Sequence, residues 1–154
     1  MEPVAGIRGH DLHITIFHCP RCCGGTAAAA GHGCRVVEAC AAEVGGARLA
    51  SAFLDGADGV LVLGCLGAAC QRPRGDVEAF RHLHEGAVAI SRLGVEPARL
   101  QRHWLTPREA MRIPAILVSF RRRLHVLGAR TVAAGSVPAP VPAMSAAAMN
   151  ATGP

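Results

Sequence analysis

Short apolar runs alternate along the chain with longer amphipathic segments, as in proteins whose strands alternate with helices. Strands are predicted at residues 13–18, 35–39, 60–63 and 100–105. The third of these, Val60-Leu-Val-Leu63, is apolar at every position, as expected of a strand that is buried on both faces. Helices are predicted over residues 47–54 and 76–93, because apolar side chains recur there every three or four positions.

The helix predicted over residues 76–93 has the clearest apolar stripe, and we expect this stripe to face the core: Val77, Phe80, Leu83, Ala87, Ile90 and Leu93. A last helix is predicted to begin at Thr106-Pro-Arg-Glu109, which has the residues of a capped start. Pro114 should kink this helix or split it in two. After Gly128 the composition shifts to Ala, Pro, Ser, Met and Gly. We therefore predict one domain over residues 1–128 and a disordered low-complexity tail over residues 129–154.

Four strands that alternate with helices predict an α/β fold, a small open parallel sheet of about four strands with flanking helices. Binding sites in such sheets form at the carboxyl ends of the strands. Cys19, Cys40 and Cys65 each follow the end of a predicted strand. The pattern therefore places three thiols at one edge of the sheet.

Seven cysteines occur in 154 residues, most of them in short motifs. Five are candidate ligands for a metal or a cluster, in a C-x2-C pair, a single position and a C-x4-C pair: Cys19, Cys22, Cys40, Cys65 and Cys70. Thiolates select zinc, copper(I) or iron–sulfur clusters, and a 2Fe–2S cluster commonly takes four of them. Cys23 and Cys34 are more simply explained as small side chains without a role. The alternative is a zinc-stabilised or thiol-redox module without a cluster, which a C-x2-C pair also permits.

Charge and composition exclude several classes of protein. The 16 basic residues, all arginine, exceed the 11 acidic ones by a formal charge of +5, which suits an acidic protein surface. Aromatic residues do not interleave with the arginines, so no nucleic acid is expected as a partner. The sequence shows no targeting segment and no long apolar run, so we expect a cytoplasmic protein without a membrane span. It also shows no acid–base or nucleophile constellation beyond the thiols.

The segment from Arg35 to Cys70, above all Phe53-Leu-Asp-Gly-Ala-Asp-Gly-Val-Leu-Val-Leu-Gly-Cys65, resembles the methyl-viologen-reducing hydrogenase delta subunit family. The likeness extends to about Gly128, and Cys19 and Cys22 match the family's N-terminal pair. The resemblance implies a non-catalytic electron-transfer subunit with a 2Fe–2S cluster. It also implies larger redox subunits as partners, a hydrogenase or formate dehydrogenase on one side and a heterodisulfide reductase flavoprotein subunit on the other.

By position, the resemblance makes the same five cysteines candidate ligands, which is one more than a cluster needs. The sequence departs from the family after the last cysteine, where Gln71 and Arg72 replace a histidine and an aromatic residue. His18 and His32 lie near the cysteine segments. We expect these histidines to be solvated or hydrogen-bonded loop residues rather than ligands.

Overall fold

Four parallel strands form the sheet: β1 (Ile14–His18), β2 (Cys34–Glu38), β3 (Gly59–Cys65) and β4 (Leu100–Leu105), in the order β2-β1-β3-β4. The structure is a computed structural model that describes residues 11–21, 31 and 33–130. The predicted α/β fold with about four parallel strands is confirmed. β1 and β3 occupy the centre, and every residue of both is buried.

Within the described residues, three α-helices of more than two turns flank the sheet: α1 (Gly46–Leu54), α2 (Gly75–Arg92) and α3 (Ile113–Leu127). Short 3-10 helices lie in the connections, at Ala41–Glu43, Gly67–Ala69, Pro97–Arg99 and Pro107–Arg112. The predicted split of the last helix is confirmed, because Pro114 is the second residue of α3 and cannot donate a backbone hydrogen bond to the preceding turn. The Thr106 and Glu109 side chains form the expected capping box at the start of the 3-10 helix that precedes α3.

The two faces of the sheet carry separate apolar layers. On one face, Ile16 and Leu63 pack with α3 through residues such as Phe120. On the other face, Val62 packs with α1 and α2 through residues such as Leu83. Since both faces are covered, the polar chemistry of the chain is confined to the edges and ends of the sheet. The predicted tail, apart from residues 129 and 130, lies outside the described residues, and the domain boundary at residue 128 stays a prediction.

The orientation of α2 differs from the one its apolar stripe predicts. Val77 and Phe80 were expected to face the core, but each is 53% exposed. The positions that α2 buries include small residues as well as large ones: Gly75, Ala79, Leu83, Gly86 and Ile90. A Cβ atom built on Gly86 would lie 2.7 Å from Leu49 Cδ1, so α2 uses its small residues to approach α1 closely. This close packing turns Val77 and Phe80 towards solvent.

The close approach of α1 and α2 at Gly86 is testable by substitution. In Gly86→Ala, the added methyl group would also lie 3.2 Å from the backbone nitrogen of Gly46. We expect the free energy of unfolding to fall by about 1–3 kcal/mol, since overpacking outweighs the better helix propensity of alanine. Urea unfolding followed by far-UV circular dichroism measures this, with Glu85→Ala at the exposed neighbouring position as the control. Equal stability of the two variants would contradict the packing described.

Candidate functional site

A cavity of about 670 Å³ opens at the carboxyl edge of the sheet. Its walls come from the ends of β1, β2 and β3 and from the loop that follows β3. Four thiols line it: Cys19, Cys40, Cys65 and Cys70. The predicted convergence of thiols from separate strand ends is therefore observed for the described part of the chain.

The sheet itself positions two of the four thiols. Cys19 follows β1 directly, and its backbone N–H donates a hydrogen bond to the carbonyl of Leu63 on β3, at 3.3 Å. Cys65 is the last residue of β3 and pairs in register with Leu105 on β4. Both side chains are 8% exposed. These two thiols thus sit on adjacent central strands and move only if the sheet moves.

Short turns position the other two thiols. Cys40 precedes the 3-10 helix Ala41–Glu43, and its carbonyl accepts a hydrogen bond from the Glu43 N–H at 2.8 Å. Cys70 follows the 3-10 helix Gly67–Ala69, and its N–H donates to the carbonyl of Gly67 at 2.9 Å. Both side chains are half-buried. The cavity therefore has a rigid, buried side and a more exposed side formed by two loops.

Gly75, at the start of α2, is a part of the site that the sequence analysis missed. A Cβ atom there would lie 2.7 Å from Cys70 Sγ and 3.0 Å from Arg72 Cβ. The loop between β3 and α2 can fold back on the helix start only because this side chain is missing. A glycine directly after the Arg-Pro-Arg segment was the available signal, but its meaning depends on a tertiary contact.

Arg72 places a positive charge beside the thiols. Its Nη1 atom lies 4.0 Å from Cys40 Sγ and 3.4 Å from the Glu43 carboxylate, and its Nε atom lies 3.5 Å from the Glu78 carboxylate. The Cys40 sulfur, followed by Glu78, raises the pKa of Arg72 above its already high usual value. The guanidinium is therefore a permanent cation at the wall of the cavity.

The structure describes four of the five predicted ligands. Cys19, Cys40, Cys65 and Cys70 share the cavity, whereas Cys22 lies outside the described residues. Which four of the five act as ligands stays a prediction. Of the two cysteines expected to have no role, Cys23 also lies outside the described residues.

Cys34 lies at the opposite end of the sheet from the cavity. It opens β2, where it pairs in register with Ile14 at the start of β1. Its Sγ atom lies 3.1 Å from Arg121 Nη2 on α3. Because the strands are parallel, the full length of β2 separates Cys34 from the cysteine-lined edge.

His18 does not occupy the solvated position that we expected. It is the last residue of β1, its side chain is 2% exposed, and its Nδ1 atom has no hydrogen-bond partner among the described residues. Side chains alternate along a strand, so His18 shares the face of Ile16 and not the lining of the cavity. His32 lies outside the described residues.

The donors that line the cavity suit a soft metal centre. Thiolates bind zinc, copper(I) and iron–sulfur clusters. Within residues 11–21, 31 and 33–130, no group of three or more His, Cys, Asp or Glu side chains has the arrangement that holds a metal ion.

No α-helix in the part of the chain that the structure describes is long and apolar enough to cross a membrane.

The fold and its thiol-lined edge define a small α/β protein with a candidate metal centre at the carboxyl ends of parallel strands. The family model of the methyl-viologen-reducing hydrogenase delta subunit matches residues 14–128, and the chain belongs to this family. This finding confirms the resemblance seen in the sequence.

Three curated relatives align over 89 residues, which is 58% of this chain. An iron-sulfur subunit of the F420-non-reducing hydrogenase of Archaeoglobus profundus is 28% identical, and the alignment covers 65% of its length. A subunit of the ferredoxin:CoB-CoM heterodisulfide reductase of Methanosarcina mazei is 29% identical, with 11% of its length covered. A subunit of the ferredoxin/F(420)H(2)-dependent CoB-CoM heterodisulfide reductase of Methanosarcina acetivorans is 30% identical, also with 11% covered. The chain thus spans less than two thirds of the length of each relative.

The contact between Gly75 and Cys70 can be tested on the reduced, metal-free protein. In Gly75→Ala, the new methyl group would displace the Cys70 sulfur, which we expect to swing towards solvent. Cys70 should then react several-fold faster with a short pulse of a maleimide, measured cysteine by cysteine with peptide mass spectrometry. Gly45→Ala is the control, because apart from its chain neighbours no atom of the described residues lies within 4 Å of a Cβ at that position. An unchanged rate at Cys70 would show that this contact does not position the thiol.

Proposed function

We propose that the chain binds a 2Fe–2S cluster at the cysteine-lined edge of its sheet and carries electrons as one component of a larger redox complex. The observation that carries this proposal is the convergence of Cys19, Cys40, Cys65 and Cys70, from three separate segments, on one cavity. Four thiolates are the usual ligand set of such a cluster.

The size of the cavity and the name of one relative favour a cluster over zinc. A structural zinc ion needs its sulfurs within about 2.3 Å of a single point. Four thiols line a cavity of about 670 Å³, and the relative from Archaeoglobus profundus is named as an iron-sulfur subunit. A group of two irons and two sulfides is larger than one ion and can reach sulfurs on different walls. This argument places the zinc-stabilised module second.

The two kinds of thiol position suit electron transfer. A bound 2Fe–2S cluster would supply the uptake and release of one electron. Cys19 and Cys65 would hold it on the rigid sheet, while Cys40 and Cys70 would keep it close to the surface. From the sequence we expect no acid–base or nucleophilic pair in the chain besides its thiols. Its part in a complex is then to hold the cluster within reach of the redox centres of other subunits.

The partners that we propose are a hydrogenase or formate dehydrogenase as donor and a heterodisulfide-reductase-like flavoprotein as acceptor. The relatives support this pair, because one is named as part of a hydrogenase and two are named as parts of heterodisulfide reductases. In the latter two, the aligned segment is only a small part of a much longer chain. A unit found in both kinds of protein fits a carrier between them. The excess of arginine would assist docking to acidic surfaces in a salt-sensitive way.

Iron and sulfide analysis tests the cluster directly. Protein purified under anaerobic conditions should be brown and contain about two irons and two acid-labile sulfides per chain, as a four-thiolate 2Fe–2S site requires. Stoichiometric zinc without sulfide would refute the cluster and favour the zinc-stabilised module.

Two matched cysteine variants test the site. Cys65→Ser should lose most of the iron and sulfide, because Cys65 ends a central strand and faces the cavity. Cys34→Ser should retain both, because Cys34 lies at the opposite end of the sheet. Iron, sulfide and the visible spectrum are measured for both variants beside the wild type. Equal iron content in the two variants would show that the cluster lies elsewhere.

A thiol-redox function is a second candidate, favoured by the backbone at the first cysteine pair. Pro20 and Arg21 have helical geometry directly after Cys19, so this thiol lies at the start of a helical segment. A thiol in such a position occurs in disulfide exchange proteins. This candidate predicts a colourless, metal-free protein that reduces disulfides, and the metal analysis separates it from the cluster.

A further inference from the structure

Arg72 makes a set of contacts that its place in an exposed loop does not require. It lies two residues after Cys70, and its Nη1 atom is 4.0 Å from the sulfur of Cys40, which belongs to a different loop. The sequence offers no reason to connect these two residues. The fold brings this arginine, from the loop that holds Cys70, to the thiol of the neighbouring loop.

Two carboxylates hold Arg72 in this position from different elements. Glu43 belongs to the 3-10 helix after Cys40, and Glu78 lies in the first turn of α2. The two ion pairs of Arg72 have N–O distances of 3.4 and 3.5 Å, and their side chains are exposed to solvent. Neither pair therefore contributes much stability by itself. Together they restrict the direction of a planar group that has five donors, and leave it facing the sulfur. The arrangement orients a charge more than it strengthens the fold.

The charge of Arg72 has a direct consequence for a redox site. One-electron reduction adds a negative charge to the cluster and its four thiolates, while no bond forms or breaks. A nearby cation stabilises the reduced state more than the oxidised state. Proteins set the reduction potential of a cluster partly through hydrogen bonds to its ligand sulfurs and through the net charge around it. Arg72 supplies a hydrogen bond to the Cys40 sulfur and a positive charge beside it.

We propose that Arg72 is a positioning residue that raises the reduction potential of the cluster through its contact with the Cys40 sulfur and its fixed positive charge. This proposal rests on the proposed function, because it needs a cluster bound at the cavity. It goes beyond the proposed function by naming one residue that changes the reduction potential. It also makes Cys40 the ligand through which the surrounding protein adjusts the cluster.

The test is an anaerobic redox titration of the isolated, cluster-containing protein, followed by visible absorbance and electron paramagnetic resonance. In Arg72→Gln, the ratio of reduced to oxidised cluster at a fixed ambient potential should fall by roughly threefold to tenfold, since a partly screened charge is lost. The control is Arg74→Gln, which removes the same charge two residues away, at a side chain that does not line the cavity. Arg74→Gln should change the ratio much less. No shift in Arg72→Gln, or equal shifts in both variants, would overturn the proposal.

A second pair of variants covers the case in which Arg72→Gln does not retain its cluster. Glu78→Gln removes a negative charge that partly offsets the charge of Arg72, while Glu43 still holds the guanidinium at the Cys40 sulfur, so the potential should rise while the iron content stays that of the wild type. Glu85→Gln, on an exposed position of the same helix, should leave the potential unchanged. An unchanged or lower potential in Glu78→Gln overturns the proposal. A wild-type protein without iron and sulfide refutes the cluster itself, so the two failures are distinguishable.

Discussion

The structure depends on one constraint, the burial of β1 and β3 along their whole length on both faces. A strand in this situation can satisfy its backbone only through neighbouring strands, and nearly all of its side chains must be apolar. The parallel pairing of β2, β1, β3 and β4 follows from the first requirement. The α-helices on the two faces follow from the second, because each face exposes an apolar layer that must be covered.

The same constraint determines where chemistry is possible. With both faces covered, reactive side chains are tolerated only where the strands end and the chain turns. Fixed register then brings residues that are distant in sequence to one edge. His18 pairs with Leu63, so Cys19, which follows His18, lies near Cys65, two residues after Leu63. The site is thus a result of the sheet topology, and the loops after β2 and β3 complete it with one thiol each.

The strands and the convergence of thiols were predictable, because both follow from local apolar patterns and one rule about parallel sheets. The cysteine motifs and the family resemblance both indicated the five candidate ligands, and the resemblance supplied the expectation of a 2Fe–2S cluster. The buried face of α2 was predicted only in part, since counting large apolar side chains ignored the small ones, Ala79 and Gly86, that allow close helix packing. The roles of Gly75 and Arg72 could not be predicted, because each depends on a contact between loops that are distant in sequence. The buried position of His18 was missed because its burial comes from the strand and not from its own polarity.

The predominance of apolar side chains in the two layers has a consequence for how such a protein would be matured. The side chains of the two apolar layers are mostly aliphatic or aromatic, and among the ligand candidates only Cys19 and Cys65 are buried members of a layer. Unlike a zinc finger, whose folding free energy comes from its metal, a chain built in this way has a complete core before any cofactor arrives. Insertion of a cluster would then be a delivery step onto a folded acceptor that reorganises mainly the loops around Cys40 and Cys70. Oxidative damage to the cluster would leave a scaffold that can be reloaded without a new round of folding.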